Sequence, residues 1–157
     1  MPDAGEDFFL SEGPLTPGDA SVALIVLDDS RYLMQLRDQK PGIFFPGHWG
    51  CFGGGMDAGE TPEAALRREL QEELGLNLQS MTYFTRFAFD FSCWGSRLLD
   101  RHYYEVKIAA SAVEAMTLGE GSAMRAFDGR ELLANEKVTP YDSVAIWMHL
   151  TKLVHQL

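Results

Sequence analysis

Cysteine is scarce. Cys51 and Cys93 are the only two in 157 residues, and they lack metal-ligand spacing, which argues against a disulfide scaffold and against a cysteine-held metal. Both are expected to be reduced core thiols, as in a cytoplasmic protein. Basic charge is scarce too: 13 Lys and Arg face 23 Asp and Glu, for a net charge of −10. General nucleic-acid binding needs a basic surface, so it is not expected. Long apolar runs are missing. The longest, Val22 to Leu27, is far too short to span a bilayer, so no membrane partner is expected. Asp3, Glu6 and Asp7 mark an acidic start without a basic or apolar stretch, so no signal peptide is visible. Repeats and low-complexity segments are absent.

The length fits one domain with an adequate core. Residues 1–18, with Gly5, Gly13, Pro14, Pro17 and Gly18, read as a loose lead-in, and residues 19–157 as a single domain. Ser21–Leu27 and Arg31–Leu36 are strand candidates joined by a hairpin turn at Asp28-Asp29-Ser30. Pro41-Gly42 and Pro46-Gly47 break residues 38–47 into a loop. Trp49 to Gly53 reads as a short strand, followed later by Ser80–Phe91, His102–Ala109 and Met124–Phe127, with a long loop around Cys93–Asp100. Thr139 caps a last helix over about Tyr141 to His155, with Pro140 starting it and Asp142 completing a capping box; Ile146, Leu150 and Leu153 share one face. Strands with two helices of this kind predict an α/β sandwich.

The most informative stretch is Gly54 to Leu76, GGMDAGETPEAALRRELQEELGL. Thr61 is a good N-cap, Pro62 suits the first helical position and Gly75 is a plausible stop. Leu66, Leu70 and Leu74 form an apolar stripe at 3.6-residue periodicity, with Arg67 and Gln71 on the far side. Glu69 and Glu73 fall just beside the stripe and Glu72 a little further round. Three acids on one patch repel one another. A solvated helix face is the ordinary reading of such a run, but these acids border the buried side. A cation with a hard, oxygen-preferring shell, Mg²⁺ or Mn²⁺, is the natural offset.

The segment resembles the signature of the Nudix hydrolases, G-x5-E-x7-R-E-U-x-E-E-x-G-U. The matching positions are Gly54, Glu60, Arg68, Glu69, Leu70, Glu72, Glu73, Gly75 and Leu76, and none is missing. Cys51-Phe52 precedes Gly53-Gly54 where a proline is common in the family, which weakens substrate inference from that turn. The resemblance implies an α/β/α sandwich with a mixed β-sheet and the box as loop–helix–loop. It implies Mg²⁺ or Mn²⁺ as cofactor, with Glu69 and Glu73 as principal ligands, Glu72 as a ligand or base, and a backbone carbonyl near Gly54 in the shell. It implies that Arg68 orients the box glutamates and that Glu60 holds the loop against the helix. Gly53, Gly54 and Gly55 are expected to shape the turn.

Glu120, between Gly119 and Gly121 in a late loop, is the candidate general base, weighed against an ordinary solvated glutamate; Glu114 is a weaker option. His48 and His102 are read as structural. Phe45, Trp49 and Arg37 are substrate-binding candidates, and Phe44, Phe84, Tyr103, Tyr104, Arg86, Arg97 and Arg101 are further ones, each against a core or solvated reading. The expected activity is metal-dependent hydrolysis of a phosphoanhydride in a nucleoside diphosphate linked to another moiety, with nucleotide sugars and nucleoside triphosphates foremost. The expected partner is that small molecule, and a homodimer stays open. The alternatives are a catalytically silent nucleotide-sensing module and an interaction protein using its acidic surface.

Overall fold

The computed structural model describes residues 18–90, 92 and 98–155. Most of the N-terminal lead-in, Cys93 and Arg97 therefore lie outside the described residues. The strands are β1 (Ala20–Leu27), β2 (Tyr32–Leu36), β3 (Trp49–Gly50), β4 (Phe52–Gly55), β5 (Thr82–Asp90), β6 (Leu98–Ile108) and β7 (Ala123–Phe127). The helices are α1 (Pro62–Leu74), α2 (Gly129–Asn135) and α3 (Pro140–His155), with a 3₁₀ turn at Ala110–Ala115.

β1 explains the architecture. Its Val22 and Leu24 belong to one core layer, with Tyr32, Leu132, Ala145 and Ile146. Its Ala23, Ile25 and Leu27 belong to the other, with Leu66, Leu70 and Leu74 of α1. A strand covered on both faces reads as a continuous apolar run rather than an alternation, which is why β1 holds the longest such run in the chain, Val22 to Leu27. The sheet is mixed: β1 runs parallel to β6, with Val22 opposite Tyr103, while β2–β7, β1–β4 and β5–β6 are antiparallel. The fold class expected from sequence, an α/β/α sandwich about a mixed sheet, is the fold observed.

α1 begins and ends where its sequence dictates. The Thr61 hydroxyl accepts the Ala64 N–H at 3.2 Å, and Gly75 adopts φ 65° to close the helix. Leu66, Leu70 and Leu74 are buried, while Arg67 and Gln71 face solvent.

Four expectations need correction. Trp49 to Gly53 is two strands, β3 pairing with β2 and β4 with β1. β6 starts at Leu98, because Leu98 and Leu99 continue the ladder opposite Asp90 and Phe89. On α3, Leu153 is exposed and the buried face is Tyr141, Asp142, Ala145, Ile146 and His149. Asp142 does not complete a capping box: the Thr139 N–H donates to the Trp49 carbonyl at 2.9 Å, and the Asp142 carboxylate turns inward. His149, fully buried on α3, lies 2.6 Å from the Tyr32 hydroxyl and 2.6 Å from a Glu105 carboxylate oxygen, which ties the helix to the sheet.

Candidate active site

β4 carries the glycines to the C-terminal half of α1. Gly53 has φ 124°, and a Cβ there would lie 2.3 Å from the Ser21 carbonyl oxygen, so only glycine fits this approach of β4 to β1. A Cβ on Gly54 would lie 2.7 Å from the Glu69 carboxylate. The turn and the helix acids are therefore packed side by side. A cleft of about 320 Å³ opens here, lined by Gln35, Arg37, Asp38, Gly53–Gly55, Glu69, Glu73 and Glu120 among others.

Glu73 is 2 % exposed. Its Oε2 accepts the Gly53 N–H at 2.8 Å and its Oε1 accepts the Gln35 amide at 3.3 Å. Burial pushes its pKa up to about 8 against the relief of those two bonds, and Glu69 and Glu120 add to the rise. Half-buried Glu69 is also raised, by desolvation first, with Arg68 pulling the other way. Arg68 donates to Glu69 at 2.6 Å, to both oxygens of Glu60 at 2.9 Å and to the Gly55 carbonyl at 3.0 Å. Glu60 also accepts the Asp57 N–H at 2.9 Å. One guanidinium thus joins loop, strand and helix.

Glu120 reaches the cleft because the loop carrying it lies against α1. The Gly119 N–H donates to the Glu73 carbonyl at 2.6 Å, and a Cβ on Gly119 would lie 2.4 Å from the Glu72 carbonyl oxygen. Glu72 does not line the cleft: its side chain is 60 % exposed, with one oxygen 3.6 Å from Arg68. Among the described residues, no three His, Cys, Asp or Glu side chains form a ready ligand group. The three-acid patch is thus divided, since Glu69 and Glu73 take donors from the protein and Glu72 points outward.

The donor set nonetheless suits a hard divalent cation. Among the described residues, the cleft lining offers the carboxylates of Asp38, Glu69, Glu73 and Glu120 without sulfur or imidazole, and two of its acids are held above their usual pKa range, where a cation would favour their ionised form.

Of the substrate-binding candidates, Arg37 lines the cleft and donates to the Phe44 carbonyl at 2.8 Å. Phe45 and Trp49 are corrections. Phe45 is buried against Leu99 and Tyr141, and Trp49 packs on Phe127 at 4.8 Å between ring centroids. His48 is buried, with Nδ1 3.0 Å from the Pro46 carbonyl. Cys51 is buried and free, and burial pushes its thiol well above its usual pKa.

Gln35 and Asp142 were missed. Gln35 is a polar residue in an otherwise apolar strand, which was the available signal. Asp142 followed a capping pattern that concealed its inward turn.

Fold and site together define the class of protein, and comparison with known proteins agrees. The family model described as NUDIX domain matches residues 17–152. The chain belongs to the Nudix hydrolase family. Nucleoside triphosphatase NudI of an Enterobacter species is 47 % identical over 58 residues, 37 % of this chain and 40 % of that protein. The matches span 40–47 % of the length of the curated relatives. Among solved structures, a MutT NUDIX hydrolase from Burkholderia pseudomallei has a TM-score of 0.69 at 24 % identity, covering 84 % of this chain and 97 % of that one. The E. coli dihydroneopterin triphosphate pyrophosphohydrolase has a TM-score of 0.70 at 19 % identity, covering 87 % and 97 %. At these identities the two structures speak to the fold. No helix among the described residues is long and apolar enough to cross a membrane.

Proposed function

We propose that this chain hydrolyses a phosphoanhydride bond of a nucleotide, with nucleoside triphosphates foremost and nucleotide sugars next, using Mg²⁺ or Mn²⁺. One observation carries this reading: Glu73, buried beneath a glycine turn, faces a cleft that it shares with Glu69 and Glu120. Two acids raised by burial, Glu69 and Glu73, beside a third in an open cleft are costly to a fold and useful to chemistry. The match to the nucleoside triphosphatase NudI, though confined to part of each chain, favours a triphosphate.

Glu69 and Glu73, with a backbone carbonyl near Gly54, would hold the cation, and Glu72, which points outward beside Arg68, would have to turn inward to join them. Bound there, the cation supplies charge neutralisation at phosphoryl oxygens and a lowered pKa for water. The chain's own residues do the rest. Arg68 fixes the orientation of Glu69 and is itself fixed by Glu60. Gly53 and Gln35 hold Glu73 against the turn. Glu120, on its glycine-flanked loop, accepts the proton of the attacking water. Arg37 lies where an entering phosphate would meet it.

A panel of nucleoside triphosphates, nucleotide sugars, ADP-ribose and dinucleoside polyphosphates, assayed for phosphate and nucleotide release with Mg²⁺, tests this reading. Turnover of at least one class supports it. Silence across the panel, with nucleotides still bound, would make the chain a sensing module instead.

A further inference from the structure

A second cavity, of about 180 Å³, shares Arg37 and Gly53–Gly55 with the acid cleft and extends to Phe44, Leu99, Arg101, Tyr141 and Asp142. It is smaller than the roughly 300 Å³ typical of sites enclosing a whole drug-sized ligand. It therefore suits one flat part of a substrate whose remainder lies in the acid cleft.

Its polar wall is one organised cluster. The Arg101 guanidinium lies over the Tyr141 ring, 3.8 Å from the centroid, with the side chain 17 % exposed. Its Nε donates to the Tyr103 hydroxyl at 3.2 Å and its Nη2 to Asp142 Oδ1 at 3.3 Å. Asp142, 2 % exposed, is already saturated. Its Oδ1 also accepts the Tyr103 hydroxyl at 3.0 Å, and its Oδ2 accepts the Cys51 N–H at 2.9 Å and the Thr139 hydroxyl at 2.8 Å. The carboxylate has no acceptor to spare for a ligand. Arg101 has donors to spare: among the described residues its hydrogen bonds use Nε and one Nη2 hydrogen.

The charge of Arg101 is balanced by Asp142, so this wall offers directed donors more than net positive charge. That favours a neutral ring edge over another phosphate. Two parallel N–H groups on a planar fork match two adjacent acceptors. Cytosine has such a pair in O2 and N3, and guanine in O6 and N7. Adenine has no two acceptors side by side, since N1 and N7 each neighbour the N6 amino donor and N3 stands alone beside C2–H, and in uracil the N3–H donor separates O2 from O4.

We propose that this cavity selects the base, and that Arg101, held flat on Tyr141 by Tyr103 and Asp142, reads an adjacent acceptor pair, so that cytosine and guanine nucleotides are preferred. The proposal rests on the nucleotide reading above. Its test needs no turnover: equilibrium binding of CMP, GMP, AMP and UMP to the metal-free full chain, with 7-deaza-GMP as a ligand lacking the N7 acceptor. CMP and GMP are expected to bind about tenfold tighter than AMP and UMP, and 7-deaza-GMP about tenfold weaker than GMP. Arg101→Lys, which keeps the charge and loses the fork, is expected to bring CMP and AMP to similar affinity while its thermal unfolding stays close to wild type. Equal binding of all four, no measurable binding of any, or 7-deaza-GMP matching GMP overturns the proposal. The deaza comparison uses wild-type protein and stands even where the variant fails to fold. Hydrolysis without base preference overturns this inference alone; base preference without hydrolysis overturns the catalytic reading alone.

Discussion

The Glu73 carboxylate accepts the Gly53 N–H at 2.8 Å, joining the buried acid of α1 directly to the glycine turn of β4. The bond holds the acid against the cleft that it shares with Glu69 and Glu120. Glu73→Gln keeps an acceptor for Gly53 and removes the charge. We expect a folded protein with hydrolysis reduced at least about a hundredfold, measured as initial rate at saturating Mg²⁺. Near wild-type rates would remove Glu73 from the metal site.

The same residue makes stability depend on pH. Its folded pKa of about 8 lies above the ordinary 4.5, so the folded chain binds this proton more tightly than the unfolded chain does. Its contribution to stability is full below about pH 4.5, falls as pH rises through the window to about 8, and stays lost above it. In chelator, wild type should therefore lose thermal stability relative to Glu73→Gln between pH 5 and pH 8. Mg²⁺ at pH 8 should narrow that gap by favouring the ionised acid. A gap that ignores pH contradicts the shift.

Much of this was legible in the sequence, for reasons that differ by residue. Thr61, Pro62 and Gly75 act locally, so the helix bounds follow from neighbours along the chain. The leucine stripe fixed the buried face by periodicity. The destination of Glu72 was not legible, because a helical wheel gives its angle but not the course of the loop beside it. Asp142 failed for a related reason: its partners Cys51, Tyr103 and Arg101 lie 91, 39 and 41 residues away. α2 was missed altogether. Its start is capped by Asp128, which accepts the Arg130 and Glu131 N–H groups, but it is only seven residues long, too short for periodicity to reveal.

Gly54→Ala tests the packing of turn against acid. The added Cβ would meet the flexible end of Glu69 at 2.7 Å, so the fold should survive while the carboxylate is displaced. A displacement of about 1 Å near reacting groups can cost about a hundredfold, and we expect a loss of that order with little change in melting temperature. Full activity would show that Glu69 need not lie against the turn.

Glu120→Gln tests the base. If Glu120 accepts the water proton, kcat should fall by about a hundredfold or more, with KM little changed. Normal turnover places the base elsewhere.

Leu70→Ala tests the α1 side of the core. Leu70 is fully buried, and the truncation should cost about 2–5 kcal/mol in urea unfolding. A cost well under 1 kcal/mol would mean that α1 is not packed as described.

The most direct test of the central claim is a Mg²⁺ titration of nucleoside triphosphate hydrolysis by wild type and Glu69→Gln, starting from chelated protein. The account predicts no turnover in chelator, saturable activation of wild type by Mg²⁺, and a much higher Mg²⁺ requirement or none of the activity in Glu69→Gln. Turnover that persists in chelator, or a Glu69→Gln titration that overlays wild type, would contradict it.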